Sequence, residues 1–264
     1  MKPTRSHGRQ SVKASLKPRE LMQARPDYSD VWQARIITLF PELFPGVLGA
    51  SLTGKALQDG KWQLHTHDLR SFGIGKHRNV DDTPAGGGAG MVMRADVVGP
   101  AIEAATANAR GNWPILYMSP RGRRFDQAMA RDFARCDGLT ILCGRFEGVD
   151  ERVLEHYGVM EVSLGDFVMT GGELAAQAMI DATVRLLPGV LGNAESTLEE
   201  SHSNGLLEHP QYTRPASWQG REIPPVLMSG NHKEIAKWRL SEAQRITQER
   251  RPDMLQKDQG SGED

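Results

Sequence analysis

The polar and apolar positions of this chain change period several times along its length. Ala34–Phe40 (ARIITLF) is a β-branched, mostly apolar run, the pattern of a buried strand. Pro41 opens a short helical segment, PELFPGVLGASL. Trp62–Leu69 alternates as a second strand, and a glycine-rich loop follows over Ser71–Gly90. Helical spacing returns at Asp96–Arg110. Pro114–Tyr117 reads as a short strand ending in a turn at Ser119–Pro120, and Asp126–Cys136 as an amphipathic helix. Leu139–Cys143 is again a buried strand, which Gly144 ends. Val159–Leu164 is the last clear strand, and Gly172–Leu187 is a long helix stopped by Pro188–Gly189. Strands alternating with helices predict an α/β domain with a mostly parallel sheet.

The ends of the chain differ from this middle. Residues 1–33 are rich in Lys, Arg, Ser and Pro without apolar periodicity, and read as a disordered basic extension to a domain spanning 34–191. Residues 192–205 are polar and read as a flexible linker. A Pro-rich stretch and a helix from Asn231 or His232 to about Arg250 then predict a small helical domain over 206–255, with a loose tail at 256–264.

Composition narrows the class. The 264 residues are 39% hydrophobic and 25% charged, enough for one large domain or a medium and a small one. No apolar run approaches the roughly 18 residues that span a bilayer, and the basic N-terminus lacks the apolar core of a secretory signal. Cys136 and Cys143 make neither a disulfide framework nor a zinc quartet and fit a reducing cytoplasm. The formal net charge is −1, so any affinity for nucleic acid must come from local patches. Arg121, Arg123 and Arg124 form one, Lys76, His77 and Arg78 another, and Lys233–Arg251 a third, although for any one patch alone a solvated face is the simpler reading.

Some motifs are decoys. Gly49–Lys55 (GASLTGK) matches the first seven positions of a phosphate-binding loop, but Ala56 stands where a magnesium-ligating hydroxyl is required. His65 and His67 share a strand face beside Asp68, yet no further metal ligands are evident, and surface histidines are the simpler reading. The Gly86–Gly90 loop (GGGAG) would let backbone approach a ligand closely. More informative are three loops that follow strands: Tyr117–Arg121, Cys143–Arg152 and Ser163–Glu173. In an open α/β sheet ligands bind beyond the carboxyl ends of strands, so these loops could enclose one adenosine. None is GxGxxG, which argues against a dinucleotide site.

The segments IITLFPELFPG, VDDTPAGGGAGMVM, YMSPRGRRFDQ, CGRFEGVDERV, SLGDFVMTGGELAA, IDATVRLLPGVLG, YTRP and PPVLMSGNHKEIAKWR, in this order from about Arg35 to Leu255, resemble the bacterial tRNA (guanine-N1)-methyltransferases, the TrmD family. That resemblance implies a SPOUT-type fold with a deep trefoil knot, a homodimer with its active site at the interface, and methylation of N1 of guanine 37 beside the tRNA anticodon when guanine also precedes it. S-adenosyl-L-methionine is the implied donor, and a Mg2+ dependence is left open. Motif by motif, the donor should contact Tyr117, Met118, Ser119 and Pro120, then Gly144 and Glu147, then Leu164, Gly165, Asp166, Phe167, Val168, Met169, Gly171 and Gly172. Phe167 and Ala175 stand where relatives often have Tyr and Pro.

Guanine N1 carries a proton and is a poor nucleophile, so the transfer needs a carboxylate base and a cation for the charge that spreads to O6. The resemblance puts the cation at Arg185, which could instead make an ordinary i,i+4 helix pair with Asp181. The family's linker aspartate aligns with Glu200, and a one-residue shift would move it to Glu199. Asp81 is the expected nearby carboxylate that helps hold Arg185. The basic C-terminal helix would grip the anticodon stem through phosphates. Other readings are a SPOUT enzyme acting on another RNA position, and an RNA-binding relative without catalysis.

Overall fold

The computed structural model describes residues 31–191, 201–202 and 205–255. Along the first segment run β1 (Gln33–Thr38), α1 (Ser51–Gln58), β2 (Gln63–Asp68), β3 (Asp81–Asp82), β4 (Val92–Met93), α2 (Ala95–Thr106), β5 (Ile115–Arg124), α3 (Gln127–Ala134), β6 (Gly138–Leu142), α4 (Glu151–His156), β7 (Met160–Ser163) and α5 (Glu173–Val184). A hairpin of β8 (Ser217–Trp218) and β9 (Arg221–Glu222) follows, then α6 (Pro225–Met228), α7 (His232–Arg250) and α8 (Pro252–Leu255). The chain is thus α/β, as expected.

Five strands form one sheet in the order β2-β1-β6-β5-β7, and every pairing in it is parallel. Alternation along the strands divides the core between two faces. Ala34, Ile36, Leu116, Met118, Leu139 and Ile141 pack with α3 and α5 residues such as Phe133, Met179 and Ile180. Ile37, Tyr117 and Leu142 pack with Val97, Val98 and Ile102 of α2 and Val153 and Leu154 of α4. All five positions of β6 are buried because helices cover both faces, which explains its lack of polar alternation. Edge strand β2 (QLHTHD) has no fully buried residue. Each large apolar side chain enclosed this way contributes about 1.5–3 kcal/mol relative to exposure.

Several elements differ from expectation for local reasons. Order includes Trp32, assigned above to the extension; it is buried, and its indole N–H donates to the Phe133 carbonyl at 3.0 Å. The helix expected over Pro41–Leu52 is two 3-10 turns, Pro41–Leu43 and Gly46–Gly49, ahead of α1. Phe44 is extended before Pro45, and Gly46 has φ +53°, so no helix runs through them. The turn expected at Ser119–Pro120 is a register break inside the longer β5: Met118 and Arg123 both face Val162. The glycine-rich loop contains β3, which pairs antiparallel with β4 just beyond its end. Helix α4, capped by the Asp150 carboxylate accepting from the Arg152 amide, is too short to show periodicity. Its neighbour α3 starts as expected, with the Asp126 carboxylate accepting from the Met129 amide.

Gly54 of the phosphate-loop look-alike sits inside α1, where an added Cβ would overlap the Gly49 backbone. The glycines of GASLTGK therefore serve a close packing. In an ordinary helix interior Gly→Ala stabilises by up to about 1 kcal/mol. Here Gly54→Ala is expected to lose about 1–3 kcal/mol through overpacking, read as a lowered thermal midpoint in circular dichroism; a raised midpoint would refute the packing role.

Candidate active site

The register break of β5 and the carboxyl ends of β6 and β7 meet on one side of the sheet, and the segments there enclose a cavity of about 260 Å³. β5 contributes Tyr117, Met118, Ser119 and Pro120; the loop after β6 contributes Gly144–Gly148; the loop after β7 contributes Ser163–Gly165 and Phe167–Gly172. Every donor residue expected above lines this cavity except Asp166, which does not. Arg145, Phe146, Gly148, Thr170 and Ala175 line it as well and were not among the donor contacts expected from the sequence.

Glycine lets these loops touch. The Gly172 amide donates to the Gly144 carbonyl at 3.0 Å, joining the second loop to the third. A Cβ on Gly172 would stand 2.9 Å from Cys143 Cα and 3.0 Å from Met118 Cβ, so all three loops converge on this residue. A Cβ on Gly144 would run into the Tyr117 ring. Burial, with Glu161 adding to it, raises the Tyr117 phenol above its ordinary value and keeps it neutral. Burial likewise pushes the Cys143 thiol well above its ordinary value, so this cysteine is an inert core residue.

A buried ion pair anchors the wall. Glu173, the first residue of α5, has a side chain only 2% exposed. Its Oε1 accepts from the Thr38 hydroxyl at 2.8 Å and from Arg145 Nε at 3.3 Å. Arg145 Nη2 stands 2.8 Å from Oε2, close enough for charge attraction, although Oε2 has no aligned hydrogen bond among the described residues. Arg145 also donates to the Thr170 carbonyl at 3.2 Å and lies 4.5 Å over the Phe40 ring. The group thus joins the end of β1, the loop after β6, the loop after β7 and the start of α5. A Cβ on Gly171 would collide with the Arg145 guanidinium, so the pair requires glycine there. The available signal was an arginine just past a buried strand and a glutamate at a helix start, types that are buried only when paired.

The GGGAG loop is a fourth participant. Gly86, Gly87, Gly88 and Gly90 all have positive φ. Just beyond it the Glu147 amide donates to the Met91 carbonyl at 2.9 Å, and the Met93 amide to the Gly148 carbonyl at 2.9 Å. A Cβ on Gly90 would meet the Glu147 side chain. The glycine loop therefore runs into the cavity rim.

The expected catalytic residues are placed unevenly. Arg185 is half-buried at the C-terminal end of α5, its amide bonded to the Asp181 carbonyl. The Asp181 carboxylate accepts from the Thr53 hydroxyl at 2.8 Å. Asp81 is partly buried in β3, opposite Met93. Its neighbour Asp82 takes Arg94 at 3.0 Å. Glu200 and Glu199 lie outside the described residues, as does most of the 192–205 segment. Ser201 and His202 are described: the Ser201 hydroxyl accepts from the Glu208 amide, and Arg131 donates to the His202 carbonyl at 3.4 Å. His65 and His67 lie near Arg35, and burial, with Arg35 adding to it, lowers both below the ordinary histidine value. Among the described residues, no three His, Cys, Asp or Glu side chains form a group suited to a metal ion, and no helix is long and apolar enough to cross a membrane.

Fold and site together define an open parallel α/β protein with a glycine-walled ligand cavity beyond its strand ends. The chain belongs to the family described as tRNA (Guanine-1)-methyltransferase TrmD, matching it over residues 32–257. A tRNA (guanine-N(1)-)-methyltransferase of Roseobacter denitrificans is 79% identical over 233 residues, covering 88% of this chain and 97% of the relative. The protein of that name from Ruegeria pomeroyi is 71% identical, covering 92% of this chain and all of the relative. The Bartonella tribocorum protein of that name is 59% identical, covering 84% and 94% respectively.

Glu173→Gln would leave Arg145 beside a neutral amide. A loss of about 3 kcal/mol is expected, the low end for a broken buried pair because the Arg145 side chain is still 22% exposed. The double variant Arg145→Met, Glu173→Gln should recover part of that loss. Urea denaturation of the four proteins tests this; additive losses would show that the pair is not coupled.

Proposed function

We propose that this protein transfers a methyl group from S-adenosyl-L-methionine to N1 of a guanine in tRNA, at position 37 and with guanine preceding it. The observation that carries the reading is the gathering of the donor residues, Asp166 excepted, around one cavity, in a chain whose close relatives bear the name of that activity.

The cavity suits this donor. Its wall offers backbone from Leu164 to Gly172 for a purine edge, and Phe146 and Phe167 are more than half exposed beside it. Glu147 places a carboxylate at the rim for a sulfonium cation. Bound there, the donor supplies an electrophilic methyl group. The chain's own residues do the rest. Tyr117, Gly144 and Gly172 fix the wall, and the Arg145–Glu173 pair holds its loops in register. The Glu200 carboxylate takes the N1 proton as the N1–methyl bond forms and the sulfur–methyl bond breaks. Arg185 stabilises the negative charge on O6, with Asp81 helping to orient it. The target base leaves its stack to reach N1, which an anticodon loop makes inexpensive.

A homodimer completes this reading. Val168 is 83% and Leu174 69% exposed beside the cavity and at the start of α5, apolar surface that a second copy would cover. The knot of the SPOUT fold and a cytoplasmic location belong to the same proposal. In the C-terminal part, residues 206–255 act as a tRNA-binding domain, with the basic side of α7 facing phosphates.

Mass spectrometry of tRNA incubated with protein and donor should reveal 1-methylguanosine; its absence under donor-saturating conditions would overturn the reading. Glu200→Gln should reduce turnover by about 10²–10⁴-fold and Arg185→Ala by about 10²–10³-fold, with donor affinity retained in both. Near-wild-type turnover for Glu200→Gln, with loss in Glu199→Gln, would move the base by one residue. Binding to tRNA should weaken steeply between 50 and 200 mM salt, by about 10³-fold or more if six or more phosphates are engaged.

A further inference from the structure

The C-terminal part contains a second cleft that the methyl-transfer site does not use. It measures about 310 Å³, within the range of about 300–1,000 Å³ typical of small-ligand sites. Its walls come from residues 209–214, Ile223, the end of α6 and the first half of α7. Three features occur together there.

The first is a mounted aromatic surface. Tyr212 lines the cleft and is 47% exposed. Trp238 of α7 meets it edge-on at 6.2 Å between ring centroids and meets His209 at 6.4 Å. Trp238 therefore braces both rings, and the exposed part of Tyr212 is held at little conformational cost. The second is a floor of Ile235 and Met228, the latter 63% exposed. Helix α7 buries Ala243, Ile246 and Thr247, all in its second half, so its first half leaves apolar surface for this cleft. The third is charge. Arg214 and Arg239 line the cleft, and none of the described residues lining it is an Asp or Glu.

A rigid ring with an apolar floor, two guanidinium groups and no carboxylate suits a flat, aromatic, anionic ligand. Single-stranded nucleic acid is recognised by stacking of unpaired bases on such rings beside cations that take the backbone. We infer that this cleft is a subsite for one unpaired nucleobase of the RNA substrate. The base lies on Tyr212, and Arg214 and Arg239 take the flanking phosphates. The inference rests on the proposed function for its RNA partner, and it adds a stacking contact to the phosphate grip of α7.

The test uses the full-length chain without methyl donor. Fluorescence anisotropy measures its binding to an unmodified tRNA transcript with guanine at positions 36 and 37, and to a blunt RNA duplex. Tyr212→Ala should weaken tRNA binding about tenfold, within the range measured for loss of one base–aromatic stack. The slope of log affinity against log salt should stay at the wild-type value, and duplex binding should not change. Tyr212→Phe should restore tRNA binding, because the ring and not the hydroxyl is used. Arg214→Gln should make the slope shallower by about one phosphate. Wild-type affinity in Tyr212→Ala would overturn the subsite, as would equal losses for tRNA and duplex. A wild-type chain that binds neither RNA would also overturn it. Circular dichroism shows whether each variant is folded. If Tyr212→Ala proves unfolded, Arg214→Gln decides alone, and an unchanged slope there overturns the subsite. Formation of 1-methylguanosine by the wild type is measured separately, so failure of the catalytic reading and failure of the subsite are distinguishable.

Discussion

The cavity wall depends on one buried charge. Glu173 has lost almost all its contact with water, which is costly unless the charge is paired and hydrogen-bonded. Three partners offset that cost: the Thr38 hydroxyl, the Arg145 guanidinium, and the positive end of α5, at whose first residue the carboxylate sits. Because these partners come from three separate parts of the chain, satisfying the charge fixes the relative positions of the strand ends. Arg145 is held in turn by the Thr170 carbonyl and the Phe40 ring, so the loop after β7 is tied to the same point.

Glycine makes this arrangement possible and also shapes the cavity. Gly171 admits the Arg145 guanidinium, while Gly172 lets its loop lie against Cys143 and Met118. Both line the cavity, so a substitution at Gly171 would disturb the ion pair and one at Gly172 the meeting of the loops, each at the cavity wall. Structure and proposed chemistry therefore constrain the same residues. The phosphate-loop look-alike shows the opposite case: in GASLTGK the glycines are explained entirely by the packing of α1 onto Gly49.

In the proposed reaction the work divides between the donor wall, Arg185 and the linker carboxylate. The donor wall is built from strand ends and a helix start, with Gly172 at the point where its three loops meet. Arg185 ends α5, one helix length away from the Arg145–Glu173 anchor. The proposed base, Glu200, belongs to the segment between α5 and the C-terminal elements. In the C-terminal part, α7 buries Ala243, Ile246 and Thr247, all in its second half, while Ile235 and Arg239 of its first half line the cleft beside Tyr212.

By itself the sequence determined the parallel α/β class, the buried strands and the three loops that make the cavity. These are local properties: period-2 and unbroken apolar runs report burial, and glycines after strands report tight loops. It also carried the family, through motifs spread over most of the chain. Short or paired features were not legible. Helix α4 spans too few residues for periodicity, β3 is hidden in a glycine-rich stretch, and the break in β5 reads locally as a turn. Only the tertiary structure decided that Arg145 and Glu173 form a buried pair, since a separation of 28 positions gives no spacing signal. The same holds for the cleft at Tyr212, because the rings of residues 209, 212 and 238 meet only after α7 folds back on the preceding segment. Burial and long-range pairing belong to the folded chain, and no window of sequence contains them.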